Sequence, residues 1–343
     1  LMDRAGRRPG LGLGYGRAVV GPVRGLLGGA VRRVPRLDFG RALFGIASTS
    51  NLLARYAAAD VSRPEQRGRA MGLIVGGSAL GSIIGPNLMA PALSLGVRLH
   101  IPATASPFLV SVAGYGVAAA LTFLFLRPDP LALARRAEAD AGRPAGVARS
   151  LGAILTDVRV QIALATLSIS QFVMISTTST SPLYLHDQGH TVGTIGIAVS
   201  LHLAGMYVAS PLSGWLADRF GRMPVIAAGA LMLIFAVALA GLAPGQAGAT
   251  IIAGLFLNGV GWNLAFVAGS ALLTDALSPA ERASVQGLAD LFMGLMGAIG
   301  SAAGGMILGL WGFAILNAVG ALLVLGPLAV ALLRRPALAP ASG

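Results

Sequence analysis

Long apolar runs alternate with short polar connections along the whole chain. A helix crosses roughly 30 Å of hydrocarbon in about 20 residues. Apolar runs of that length fall at 38–59, 69–91, 106–127, 160–184, 193–217, 223–244, 248–274, 284–308 and 310–333, with a weaker tenth at 11–31. The pattern predicts an all-α integral membrane protein. The stretch 128–159 is rich in Ala, Arg and Pro and holds no spanning run, so it reads as a linker with a short surface helix.

Composition strengthens this reading. Of the 343 residues, 55% are hydrophobic and 11% charged, with a mean hydropathy of +0.77. A soluble domain carries roughly 25% charged residues. The 48 glycines suit close helix packing in lipid. A net charge of +12 would fit a nucleic-acid partner only if it formed a basic face on a soluble module, and no such module is visible. The basic residues are all Arg and cluster in alternate connections, with Arg98 in an intervening one. Arg63, Arg67 and Arg69 form one group, Arg127, Arg135, Arg136, Arg143, Arg149 and Arg159 another, followed by Arg219 with Arg222, Arg282, and Arg334 with Arg335. By the positive-inside rule these connections and the C-terminus are cytoplasmic. The absence of Cys excludes disulfides, thiolate metal sites and a Cys nucleophile. No phosphate-binding G-x-x-x-x-G-K-[ST], H-E-x-x-H or G-x-S-x-G is present, so no enzyme activity, metal or cofactor is expected.

An internal repeat organises the chain. LMDRAGRRP at 1–9 returns as LADRFGRMP at 216–224, an offset of 215 (216 − 1). At the same offset ADVSRPEQRGRAMGL (59–73) meets TDALSPAERASVQGL (274–288), pairing Asp60 with Asp275, Arg67 with Arg282 and Gly72 with Gly287. The reading is two related bundles, 1–127 and 160–335, joined by the linker 128–159 and followed by a tail, 336–343. In the second copy two runs precede the Asp-Arg-x-Gly-Arg element, and in the first none does. By repeat symmetry the first bundle is expected to lack its first two helices, and a non-transporting remnant is one reading of such a chain. Run 11–31 carries Arg17 and Arg24 where its partner has Met232 and Leu239. These arginines read either as the lining of a polar path or as a stretch that inserts poorly.

The sequence GWLADRFGR at 214–222 resembles the signature loop of major facilitator superfamily transporters, and 1–9 carries its half-match. The resemblance implies two pseudo-symmetric bundles, a family total of twelve spans of which about ten are present, and secondary transport by alternating access. It implies a gate latch made of Gly214, Asp218, Arg219, Gly221 and Arg222, matched by Asp3, Arg4, Gly6 and Arg7. The physical need is legible: glycines allow close approach, and an Asp at a helix end can face the positive N-terminus of another helix. GSIIGP at 81–86 is similar to the core of the family's antiporter motif, which makes Gly81, Gly85 and Pro86 a packing hinge; ordinary small-residue packing is the alternative. Arg41 with Gly45 resembles the element linked with proton transfer in drug antiporters, with Phe44 replacing its usual Gln.

Charges within spans are functional hypotheses by default. Asp290, one turn after Gln286, is a proton-coupling candidate or a packing hydrogen bond. His202 is the other titratable candidate, with a satisfied core histidine as its alternative. At mid-depth Gln171, Thr178, Asn258, Trp262 and Asn263 are candidate substrate contacts, with Asn51, Arg55 and Asn87 further candidates in the first copy. The expectation is a monomeric, proton-gradient-driven exporter of small organic molecules in the inner membrane. Metabolite uptake by the same fold is the alternative.

Overall fold

The computed structural model describes residues 6–29, 53–102, 105–140, 149–243 and 247–333. Every regular element among them is helical. They are α1 (Arg7–Gly29), a helical stretch at 53–60, α2 (Arg67–Asn87), α3 (Met89–Arg98), α4 (Pro107–Phe125), α5 (Pro130–Asp140), α6 (Leu151–Leu155), α7 (Val158–Asp187), α8 (Val192–Tyr207), α9 (Ser210–Phe220), α10 (Arg222–Leu242), α11 (Gly248–Asp275) and α12 (Pro279–Leu333). Among the described residues six helical stretches are long and apolar enough to cross a membrane. The last, α12, holds both expected runs: Gly312, at φ 85° and ψ 174°, breaks its 55 residues into two rods.

Expected and observed boundaries differ in instructive places. The run 69–91 becomes α2 followed by the separate α3, because Pro91 removes one backbone donor from the ladder where the chain resumes as a helix. The stretch 11–31 is helical as α1, although the side chains of Arg17 and Arg24 lie outside the described residues. Most of the run 38–59 also lies outside them. The linker carries α5 and α6. Asp157 caps α7 by accepting from the Arg159 amide at 2.9 Å and pairs with the Arg149 and Arg159 guanidinium groups. Burial pushes this carboxyl up, but the hydrogen bonds from Arg159 and Arg149 outweigh it and hold the group below its ordinary value.

The chain divides into two compact units. The first comprises 1–61, 80–147 and 279–284; the second comprises 62–79, 148–278 and 285–343. Each unit therefore includes the opening of a helix that belongs, by the repeat, to the other copy. In the first unit α1 packs along α4, with Tyr15 stacked on Tyr115 at 6.4 Å. The linker helix α5 buries Leu131 and Ala134 there. In the second unit α11 is the hub, packed against α7, α8, α9 and α10. Its apolar residues run all round the helix, and 72% of its most apolar window is buried, as expected of a helix with no solvent face.

Candidate functional site

In the second unit the motif loop is a dense polar junction. Gly221, at φ 90° and ψ 160°, turns the chain from α9 into α10, a backbone region that essentially only Gly occupies. That turn leaves Asp218 on the last turn of α9, facing the start of α2. Its carboxylate accepts from the Gly68 amide at 2.9 Å and the Arg69 amide at 2.7 Å, two of the unpaired donors of a helix N-terminus. A side chain on Gly68, Gly72 or Gly214 would strike the backbone of the facing helix, so glycine is required for this approach. Arg222 is the centre of the junction. It donates to Asp218 at 2.6 Å, to the Ala217 and Pro64 carbonyls at 2.7 Å each, and to Asp275 at 3.1 Å. Arg67 donates to the other oxygen of Asp275 at 2.7 Å. Arg219, also expected in the latch, lies over the Trp215 ring at 5.5 Å.

The first unit holds the counterpart. Arg7 donates to Asp60 at 2.8 Å and Arg282 to the other oxygen of Asp60 at 3.4 Å. With the 215-residue offset, Arg7–Asp60 matches Arg222–Asp275, and Arg282–Asp60 matches Arg67–Asp275. Asp3 and Arg4 lie outside the described residues. Here Gly6, at φ 92°, meets an additional constraint, because a side chain on it would collide with the Asp129 carboxylate. Asp129 accepts from the Arg8 amide at 2.7 Å and caps α5 through the Leu131 amide at 2.9 Å. Arg8 in turn donates twice to the Phe123 carbonyl near the end of α4, at 3.1 and 2.8 Å.

Reading the motif alone misses Asp60, Arg67, Asp275 and Arg282. The 215-residue repeat pairs Asp60 with Asp275 and Arg67 with Arg282, and that pairing is their signal in the sequence. Asp129 carries no such signal, since nothing in the repeat matches it.

A second polar region lies on α7, α8 and α11 of the second unit. His202 is buried, with Nδ1 2.8 Å from the Leu255 carbonyl and Nε2 3.2 Å from the Thr178 hydroxyl. A carbonyl only accepts, so Nδ1 carries a proton, and in the neutral ring Nε2 accepts from Thr178. Pro182, inside α7, removes the amide that would otherwise bond the Thr178 carbonyl. These residues border a narrow crevice with Ser181 and Leu255, too tight to hold a water-sized sphere. Nearer the start of α7, Trp262 donates to the Gln171 side-chain oxygen at 2.8 Å, stacks on Phe266 at 4.5 Å and meets the Tyr207 ring edge-on at 6.5 Å.

The two asparagines of α11 have different surroundings. Asn263 donates to the Met206 carbonyl at 2.6 Å and to Ser210, and accepts from Ser213 at 2.6 Å, tying α11 to α8 and α9. Asn258 is 1% exposed, and neither its oxygen nor its nitrogen meets a hydrogen-bond partner among the described residues. A buried polar group left so costs about 1–3 kcal/mol.

Of the remaining candidates, Asp290 is buried on α12 one turn after Gln286, which donates to Thr274 at 3.0 Å. Arg55 is buried and stacks over Tyr56 at 4.1 Å. Side chains built on Gly77, Gly81 or Gly85 would meet nothing within 4 Å among the described residues. Arg41 and Asn51 lie outside the described residues, as do the side chains of Pro86 and Asn87.

Membrane-length helices in a duplicated chain, with one ion-pair arrangement repeated at a fixed offset, define a polytopic membrane protein of two-fold internal repeat. The family model described as Major Facilitator Superfamily matches residues 1–194 and again 162–342, and the chain belongs to that family of membrane transporters of small molecules. It is 32% identical over 327 residues to the uncharacterized MFS-type transporter YddS of Bacillus subtilis (strain 168), covering 94% of this chain and 75% of that one. It is 29% identical over 299 residues to the riboflavin transporter RfnT of Brucella anthropi, covering 85% and 71%. In structure it is similar to the E. coli fucose:proton symporter FucP, with a TM-score of 0.73 and 16% identity over 97% of this chain and 85% of that one.

Proposed function

We propose that this transporter exports small organic molecules in exchange for protons, by alternating access, across a bacterial inner membrane with its C-terminus in the cytoplasm. The observation that carries this reading is the Asp218 carboxylate on the N-terminus of α2, held by Arg222 within the Asp275–Arg67 network. A contact between a helix end of one copy and a motif loop of the other can form in one state of a rocking transporter and break in another, so its strength biases the two states. Asp290 and His202 are the proton carriers of this reading, with Arg41 as a third candidate. The substrate is received by Gln171, Thr178, Asn258 and Trp262. The motif GSIIGP at 81–86 supports export, and the Arg distribution supports the orientation. The protein works as a monomer, uses the proton gradient and needs no cofactor.

Proteoliposomes test the reading. An imposed pH gradient drives transport of benzoyleneurea, an uncharged small organic molecule, and Asp290→Asn abolishes the acceleration by the gradient. Transport indifferent to the gradient contradicts proton coupling. The similarity to a riboflavin transporter favours a second reading, metabolite uptake. Flux measured separately in each direction decides between them.

A further inference from the structure

The α7/α11 region says what kind of molecule it is built to hold. The other amide side chains named in the second unit have partners. Asn263 bonds Met206, Ser210 and Ser213; Asn317 bonds Phe313 and Thr177; Gln171 accepts from Trp262; Gln286 donates to Thr274. Asn258 alone among these has neither amide atom bonded, although it is 1% exposed. A buried donor and acceptor of this kind are met by an ordered water or by the polar edge of a ligand.

The surroundings define that partner. Trp262 lies one turn from Asn258 and on the same face. Gln171, Phe266 and Tyr207 hold its indole in place. Phe266, one turn further on, stacks on one side of the indole. Between Val160 and Leu185 of α7, and between Gly248 and Thr274 of α11, there is no Asp, Glu, Lys or Arg. An ionised ligand group would find no countercharge there, and burying it unpaired is far more costly than burying a neutral one. A primary amide presents one donor beside one acceptor, which matches a ligand edge where N–H stands beside C=O.

We propose that this face selects an uncharged planar molecule with a lactam or imide edge, read by Asn258 and stacked on Trp262. The proposal rests on the reading that the α7/α11 face is the substrate site.

The test uses the full chain with Trp215→Phe and Trp311→Phe, so that Trp262 is the single tryptophan. Its fluorescence is titrated with benzoyleneurea, a planar imide, and with the imide N-methyl derivative of that compound. The expected result is saturable quenching by benzoyleneurea, weakened tenfold or more by the methyl group. Asn258→Leu weakens benzoyleneurea binding by the same factor and removes the difference between the two compounds. Absence of saturable quenching, or binding indifferent to the methyl group, overturns the proposal even where the leucine variant does not fold. Benzoyleneurea transport by the same preparation separates the two readings. Binding without gradient-driven transport contradicts the exporter, and transport indifferent to the imide methyl group contradicts the imide-selective site.

Discussion

Arg7, Asp60 and Arg282 in the first unit are the repeat equivalents of Arg222, Asp275 and Arg67 in the second, and they form the same two ion pairs. Their surroundings differ. The side chains of Arg7 and Asp60 are 0% exposed and that of Arg282 is 4% exposed. In the second unit Arg67 is 13%, Arg222 12% and Asp275 28% exposed. Charges removed from water are costly to leave unpaired, so removing one partner of a buried pair costs about 3–5 kcal/mol, whereas a partly solvated pair contributes about 1 kcal/mol or less. On the proposed function, one motif supplies two devices: the fully buried copy is the lasting tie, and the less buried copy, where the Asp218 cap on α2 adds a helix-end interaction of up to about 2 kcal/mol, is the one that releases within a transport cycle.

The largest test of this contrast is Asp60→Asn, which leaves Arg7 and Arg282 buried around a neutral amide. We expect a loss of about 3–5 kcal/mol, read as a fall in the melting temperature of the purified protein. Next comes the glycine of each motif loop. Gly6 and Gly221 both have positive φ, so alanine at either costs about 1–3 kcal/mol of backbone strain. Gly6→Ala also drives a methyl group into Asp129, and it should melt lower than Gly221→Ala; equal melting points would remove Asp129 from the account. Asp275→Asn, in the less buried copy, where 28% of the carboxylate side chain is exposed, should lower the melting temperature by less than Asp60→Asn does. The smallest effect belongs to the exposed end of the scale, the Asp157 pairs. The folded carboxyl titrates below its ordinary value, so its stabilisation is complete above the unfolded value and is lost as pH falls through the lower folded one. Melting temperature against pH through the acid carboxylate range should therefore fall less steeply in Asp157→Asn than in the parent.

How far these features were legible follows from their physics. Charge-free runs of membrane length announce themselves, and α7, α10 and α11 fall within a few residues of the runs that predict them. The offset of 215 residues paired Asp60 with Asp275 and Arg67 with Arg282. It did not reveal that Arg67 bonds the aspartate of the opposite copy, because a repeat reports equivalence and says nothing of contact. Burial, which separates the two devices, was likewise hidden, since the residues are identical in kind. Asn258 and Asn263 looked alike as candidates for a similar reason. Five residues apart on a helix, they point about 140° from each other, and only the packing of α8 and α9 decides which one the bundle ties down.

The central claim is that the Asp218 junction opens and closes. The chain contains no cysteine, so cysteines at the exposed positions Arg69 and Phe220 can be spin-labelled without background and their separation measured by pulsed electron resonance. The account predicts a short-distance population in the parent protein that gives way to a longer one in Asp218→Asn. A single short distance, unchanged by that substitution, would contradict it.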